Sequence, residues 1–299
     1  MPRPALSASR GIEIVDLLAA FPDRALTLSE IARAARINVA SCHAVLGALV
    51  HRGYLTRETR DRTYRLGPAL IAAGAAALRS QPRVARAQQA AQALASDLQV
   101  PVLLSALVGE EIVALASIAD ASGRGPGMRV GERMPLVLPV GAPFLAWSSE
   151  AAIEAWIGTR ATHGEETAAA WRQSLAATRK RGYQVTLRSP GSTALASLLA
   201  EMASRREIHE YKDEVLSLMK SWDRQLLQPE LQSPTQFHDV VLIAAPIFNE
   251  SGESAYSLCL GGFSEPISGA MIEKYASQLV RSCLAVMGAD LPVRTRIVA

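Results

Sequence analysis

Four arginines, Arg57, Arg60, Arg62 and Arg65, fall within nine consecutive residues. The arginine fork is planar, permanently charged and matched to two phosphate oxygens at once, so such a cluster can hold a polyanion. Just upstream, Arg36, Asn38, Ser41 and His43 offer donors and acceptors of the kind that meet phosphates and base edges. Elsewhere the reactive side chains do not assemble. His163 stands near Glu165 and Glu166, and His209 near Glu207 and Glu210, but both groupings sit on polar segments and read as solvated surface. Cys42, Cys259 and Cys283 lie far apart in apolar runs without a C-x-x-C pair, the pattern of buried reduced thiols and not of a disulfide framework or zinc cluster. There is no G-x-S-x-G, H-E-x-x-H or G-x-x-x-x-G-K-[ST] sequence, and Gly123, Gly125 and Gly127 flank Pro126 as in a loop. The expectation is a protein that is not an enzyme and needs no cofactor or metal.

The elements that must position the basic residues lie in the first 80 positions. That stretch holds eleven arginines, no lysine and six acidic residues, a net +5, whereas the remainder carries 20 basic and 22 acidic residues, a net −2. Ile12, Ile14, Val15, Leu17 and Leu18 predict a helix over Ser9–Ala20, stopped by Phe21-Pro22-Asp23. Thr27 followed by Glu30 is a capping box that starts a short second helix over Leu28–Ala35. After Arg36-Ile37-Asn38, a third helix places Val39, Cys42, Val45, Leu46 and Leu49 on one apolar face, leaves Ser41, His43, Gly47 and His51 opposite, and ends at Gly53. Tyr54–Thr56 and Thr63–Leu66 then predict a hairpin turning at Glu58–Asp61, with Tyr64 beside the arginines. Two short helices, the second with a small polar face, followed by a basic hairpin, are the pattern of a winged helix-turn-helix that binds double-stranded DNA. His43 either contacts phosphate or completes the helix surface.

Residues 11–70 resemble the N-terminal domain of IclR-family regulators: His43, Val45-Leu46, Leu49 and Gly53-Tyr54 follow the family's H-x-L-L-x-x-L-x-x-x-G-Y pattern, and YRLG is its wing exit. Where members commonly carry Ser-Thr-Val-His-Arg, this chain has Ala40-Ser41-Cys42-His43-Ala44, losing a hydroxyl and an arginine from the groove-facing helix. The wing arginines are thereby expected to carry more of the affinity. The resemblance continues through PLVLPVGAPFLAW, RKRGYQV and LIAAPIFNESG. It implies an α+β protein in which a winged helix-turn-helix domain (1–80) and a linker helix (81–98) precede a GAF-like α/β effector-binding domain (99–299) with a helical insertion at about 189–236. Helix is predicted from Pro68 to Arg79 and, after a break near Gln81-Pro82, onward to about Leu98. Strands are predicted around the turn at Gly109-Glu110-Glu111, in GMRVGERMPLVL, and in a hairpin turning at Asn249–Gly252, with a terminal helix from about Glu265 to Gly288.

By the same resemblance, a small-molecule effector is expected among Val140, Gly141, Ala142, Thr186 or Leu187, Leu242, Cys259 and Gly261. Family members that bind small carboxylates place an acid, a cysteine and two serines at the strand positions; the small and apolar residues here predict a larger, less polar ligand, or else a collapsed pocket that senses nothing. In the insertion, Ile208, Tyr211, Val215, Leu218, Trp222 and Leu226 repeat at helical spacing and predict an amphipathic helix that acts as lid, subunit contact or local elaboration. No run reaches ~18 apolar residues and the start lacks a signal peptide's apolar core, so no membrane partner and a cytoplasmic location are expected. The resulting expectation is a homodimer or dimer of dimers on a pseudo-palindromic operator, tuned by effector. The alternative is an interaction protein that keeps the helix-turn-helix fold but has lost effector sensing.

Overall fold

At Thr27 the capping box forms in full: the Thr27 N–H donates to Glu30 Oε2 (2.8 Å) and the Glu30 N–H donates to Thr27 Oγ1 (3.3 Å). Those bonds meet two backbone donors that a helix start leaves unpaired, and they fix the entry to α2. The structure is a computed structural model describing residues 5–160, 165–188 and 233–288. In the N-terminal module, α1 (Leu6–Ala20) is followed by β1 (Leu26–Thr27), α2 (Leu28–Ala34), α3 (Val39–His51), β2 (Leu55–Arg57) and β3 (Thr63–Leu66). Helix α1 begins three residues before the predicted start. Ile14, Leu18, Leu26, Ile31, Cys42, Leu46 and Leu55 are at most 1% exposed and form the core of the module. Ile12, expected on the apolar face, is instead 62% exposed. Burying each large aliphatic side chain stabilises the module by about 1.5–3 kcal/mol.

The wing has a third strand that no sequence pattern announced. Strand β3 pairs with β2 (Arg57↔Tyr64) and, on its other edge, with β1 (Leu26↔Tyr64), giving the order β1-β3-β2. Gly53, at φ +71°, ends α3 in the left-handed region that favours glycine.

Helix α4 (Pro68–Ser80) buries none of its residues, whereas α5 (Pro82–Leu98), beyond the break at Gln81, buries Val84, Ala87, Ala91, Leu94 and Ala95. Residues 81–98, expected as linker, are therefore part of the C-terminal core, and the span that bridges the two cores is α4. The C-terminal sheet comprises β4 (Val102–Val108), β5 (Glu111–Ile118), β6 (Arg133–Pro135), β7 (Gln184–Leu187), β9 (Val240–Phe248) and β10 (Ser254–Gly261), in the order β6-β5-β4-β10-β9-β7 with antiparallel pairing throughout. A small ribbon pairs β8 (Phe237–His238) with β11 (Ile267–Ser268). One sheet face packs on α5 and α9 (Gly269–Met287): the Cys283 thiol lies 3.8 Å from the Ala245 carbonyl, and Arg86 Nε donates to Val286 O (3.0 Å) between the two helices. The other face meets the short α6 (Ala142–Leu145), with α7 (Glu150–Arg160) and α8 (Glu165–Arg181) beyond it; Ser254 Oγ donates to Pro143 O (2.8 Å). Trp156 and Trp171, with ring centroids 5.1 Å apart and planes tilted by 47°, tie α7 to α8. The α+β class expected from the sequence is the class observed; most of the predicted insertion, including its apolar stripe, lies outside the described residues. No helix among the described residues is long and apolar enough to cross a membrane.

Candidate nucleic-acid interface and effector site

Helix α3 is set up by its own cap. Asn38 holds an extended backbone and its Oδ1 accepts the Ser41 N–H (2.8 Å), while Arg36, in the left-handed region at φ +49°, turns the chain between α2 and α3. Ile37 plugs the turn into the core at 6% exposure. Cys42 and Leu46 are then the buried anchors of α3, and Ala40, His43, Ala44 and Gly47 are presented to solvent with Ser41 half-buried. Val39 departs from expectation: it is 55% exposed, because it opens the first turn of the helix above the core.

All four wing arginines are exposed. Arg57 lies with its guanidinium carbon 5.8 Å from the centre of the Tyr64 ring, and Arg62 sits in the turn at φ +52°. Tyr64 is a correction to the sequence reading. It is 4% exposed and belongs to the core, since the extra strand β1 makes β3 the central strand and both its neighbours cover it. The ring's contribution to the surface is to seat Arg57.

On the sheet face toward α6, period-2 alternation places one row across four strands: Gln184↔Ala244, Ala244↔Cys259 and Cys259↔Leu103. Two residues along, Thr186 pairs with Leu242 and Leu242 with Gly261. The sheet thus brings Thr186, Leu242 and Cys259 onto one face, and Val140 is half-buried just before α6. Leu187 follows a bulge and pairs with Val240. Gly141 and Gly261 serve close packing: a Cβ at 141 would fall 2.9 Å from Val137 O, and one at 261 would fall 3.3 Å from Pro126 O. Ala142 is fully buried. Burial pushes the Cys259 thiol up to about 12, so this group offers a neutral sulfur and no thiolate.

The residue that sequence reasoning missed is Gln184. It is 0% exposed, and its Nε2 donates both to the Pro139 carbonyl and to Thr186 Oγ1 (2.9 Å). A carbonyl only accepts, which fixes the amide orientation and leaves Oε1 buried without a partner among the described residues. Its only sequence signal was a polar residue in a strand otherwise bound for the core.

The two halves also touch. Arg133 joins Asp16 of α1 (3.0 Å) to Glu111 of β5 (3.2 Å), and Arg129 reaches Asp23 (3.5 Å). Between these arginines Gly131, at φ +87°, passes so close to α1 that a Cβ would lie 3.0 Å from Ala19 O. The acid–imidazole groupings give no counterpart to this order: Glu165 bonds Arg172 (2.5 Å), and His163, Glu207, His209 and Glu210 lie outside the described residues. Gly123, Gly125 and Gly127 fall in an irregular loop, as expected.

Residues 7–59 match the IclR helix-turn-helix domain. Over 284 residues the chain is 22% identical to the HTH-type transcriptional regulator XynR of Escherichia coli, covering 94% of this chain and 95% of that protein. An IclR transcriptional regulator from Alicyclobacillus acidocaldarius has the same fold at a TM-score of 0.69 and 18% identity, over 99% of this chain and 100% of its own. An IclR homologue from Microbacterium hydrocarbonoxydans, crystallised with 4-hydroxybenzoate, matches at a TM-score of 0.60 and 20% identity, over 95% and 98% of the two chains. The exposed helix and basic wing are thus those of an IclR helix-turn-helix domain, and along its length the chain is similar in sequence to a transcriptional regulator and in fold to IclR-type regulators.

Proposed function

We propose that the winged module reads a pseudo-palindromic operator as part of a homodimer or dimer of dimers, and that an apolar small molecule on the α6 side of the sheet biases how the module sits. The observation that carries the first part is a recognition helix with bare alanines and glycine outward beside a wing with four exposed arginines. Affinity then comes from phosphates more than from base edges. Arg36, Asn38, Ser41, His43, Arg57, Arg60, Arg62 and Arg65 form the contact surface. Leu6 and Ile12 of α1 and Ile71 and Leu78 of α4, from 37% to 77% exposed, supply apolar area for pairing two subunits; light scattering that gives a monomer would remove that part. For the effector, the half-buried Val140 and Leu242 with the neutral Cys259 suit a body such as the aromatic ring carried by the Microbacterium relative's ligand. Such a regulator works in the cytoplasm, beside the chromosome.

Fluorescence anisotropy with DNA from the protein's own promoter, at 50 to 200 mM salt, tests the interface. Each wing arginine that meets a phosphate lowers the slope of log K against log salt by about 0.9 when changed to Ala, and the quadruple variant lowers it by about 3 to 4. Weak binding indifferent to sequence, with a slope that the quadruple variant leaves unchanged, overturns the reading.

A further inference from the structure

We propose that Gln184 and Thr186 form a donor–acceptor pair that selects the polar group of the effector: a hydroxyl or a primary carboxamide, and not a carboxylate. This rests on the reading of the α6 side of the sheet as the effector site. Gln184 Nε2 is spent on Pro139 O and Thr186 Oγ1, which leaves Gln184 Oε1 as a buried acceptor with no donor among the described residues. The Thr186 oxygen already accepts from Gln184, so its own hydroxyl hydrogen is left to donate. The pair presents one acceptor and one donor at the junction of β7 with the start of α6, beside Leu242 on the same face. A hydroxyl meets both with one atom, and a carboxamide meets both with its N–H and its carbonyl. A carboxylate has no hydrogen to give. It would set its charge against Oε1, and the sheet rows that hold the site offer Leu242, Ala244, Cys259 and Leu103 without a cation. A site whose buried polar group goes unmet by a ligand discriminates strongly against it.

The test is calorimetry on the full chain with matched probes: benzyl alcohol, benzamide and benzoate; the 2-naphthyl alcohol, amide and acid; and octanol, octanamide and octanoate. The expected result is that, on at least one frame, the alcohol or amide binds at least about a hundredfold more tightly than the acid. Gln184→Leu reduces that preference to less than about tenfold. If that variant does not fold, Thr186→Val serves instead: it weakens the alcohol and amide about tenfold and leaves the acid unchanged. An acid that binds as well as its matched alcohol and amide overturns the assignment while leaving the pocket in place, as does a preference that survives both substitutions. No binding on any frame, by protein that binds its promoter DNA, removes the pocket and the assignment together.

Discussion

Gly67, the last residue of YRLG, has an ordinary extended backbone (φ −100°, ψ 167°), so conformational freedom does not demand glycine there. Space does. A Cβ at 67 would fall 2.3 Å from Gly53 O and 2.9 Å from both Gly53 C and Tyr54 C, all backbone atoms that cannot swing aside. The same approach carries two hydrogen bonds, from Gly67 N–H to Tyr54 O (2.7 Å) and from Ala69 N–H to Gly53 O (3.1 Å), which lock the wing exit and the start of α4 against the end of α3. Gly67→Ala must push those strands of backbone apart. Losing the two bonds costs about 1 kcal/mol each, and overpacking adds about 1–3 kcal/mol. A module of roughly 60 residues has about 3–9 kcal/mol in hand. The substitution, at about 3–5 kcal/mol in sum, therefore removes between about a third and all of the winged module's stability.

The assay separates the two halves. All four tryptophans, 147, 156, 171 and 222, lie in the C-terminal half, so tryptophan fluorescence in urea follows that half while far-UV circular dichroism also sees the winged module. Gly67→Ala should lower the early dichroism transition by roughly 3 M or remove it, abolish promoter binding and leave the fluorescence midpoint in place. Gly74→Ala, where an added Cβ meets nothing within 4 Å in the middle of α4, is the control; it should raise stability by about 0.5–1 kcal/mol. Unaltered dichroism for Gly67→Ala, or equal behaviour of the two variants, would refute the packing argument.

Three further outcomes are expected. Cys42, Cys259 and Cys283 are buried, with burial raising all three thiols and the last two to about 12; a thiol reagent at pH 8 should label none in the native protein and three in denaturant, and rapid native labelling of Cys259 would contradict its placement. Asp120 is held at about 2, below its usual 3.8, chiefly by the Ser122 hydroxyl and then by Arg124. Because the folded value is depressed, its support of the 120–124 turn is complete above pH 3.8 and is lost as pH falls toward 2; Ser122→Ala should move an NMR titration of Asp120 upward, and an unmoved midpoint would show the hydroxyl irrelevant. A double-mutant cycle of Arg133→Ala with Asp16→Ala should give a coupling of about 0.2–1 kcal/mol, since the pair is partly exposed; additive effects would mean that the contact carries nothing.

Local chemistry made the winged module legible. The Thr27–Glu30 box and Gly53 act within four residues of themselves, and each appears where its spacing places it. Sequence spacing misplaces Tyr64 and Val39 because their surroundings are not local. Two-residue β1 has no period to read, so nothing in the sequence made β3 a central strand. Helical spacing grouped Val39 with Cys42 and Leu46 without showing that the core stops short of the first turn. Gln184 was invisible for a stronger reason: its orphan acceptor exists only because its amide donates to a carbonyl 45 residues away.

The magnitudes of the contacts between the halves bear on how a ligand acts at a distance. Helix α4 buries nothing, so the position of the winged module against the sheet rests largely on Arg133, Arg129 and the close pass of Gly131 along α1. Partly exposed ion pairs contribute about 0–1 kcal/mol each. A docking held by two or three of these is worth a few kcal/mol at most, which is the scale on which an effector shifts a two-state equilibrium. The loop that makes the contact runs back over the face proposed for the effector, where Pro126 O lies 3.3 Å from the Cβ position of Gly261 and Gly125 O lies 3.0 Å from that of Gly262. A ligand seated on the proposed face that reshaped the end of β10 would act on the same loop that holds α1, and a weak dock would let a modest difference in ligand affinity move it.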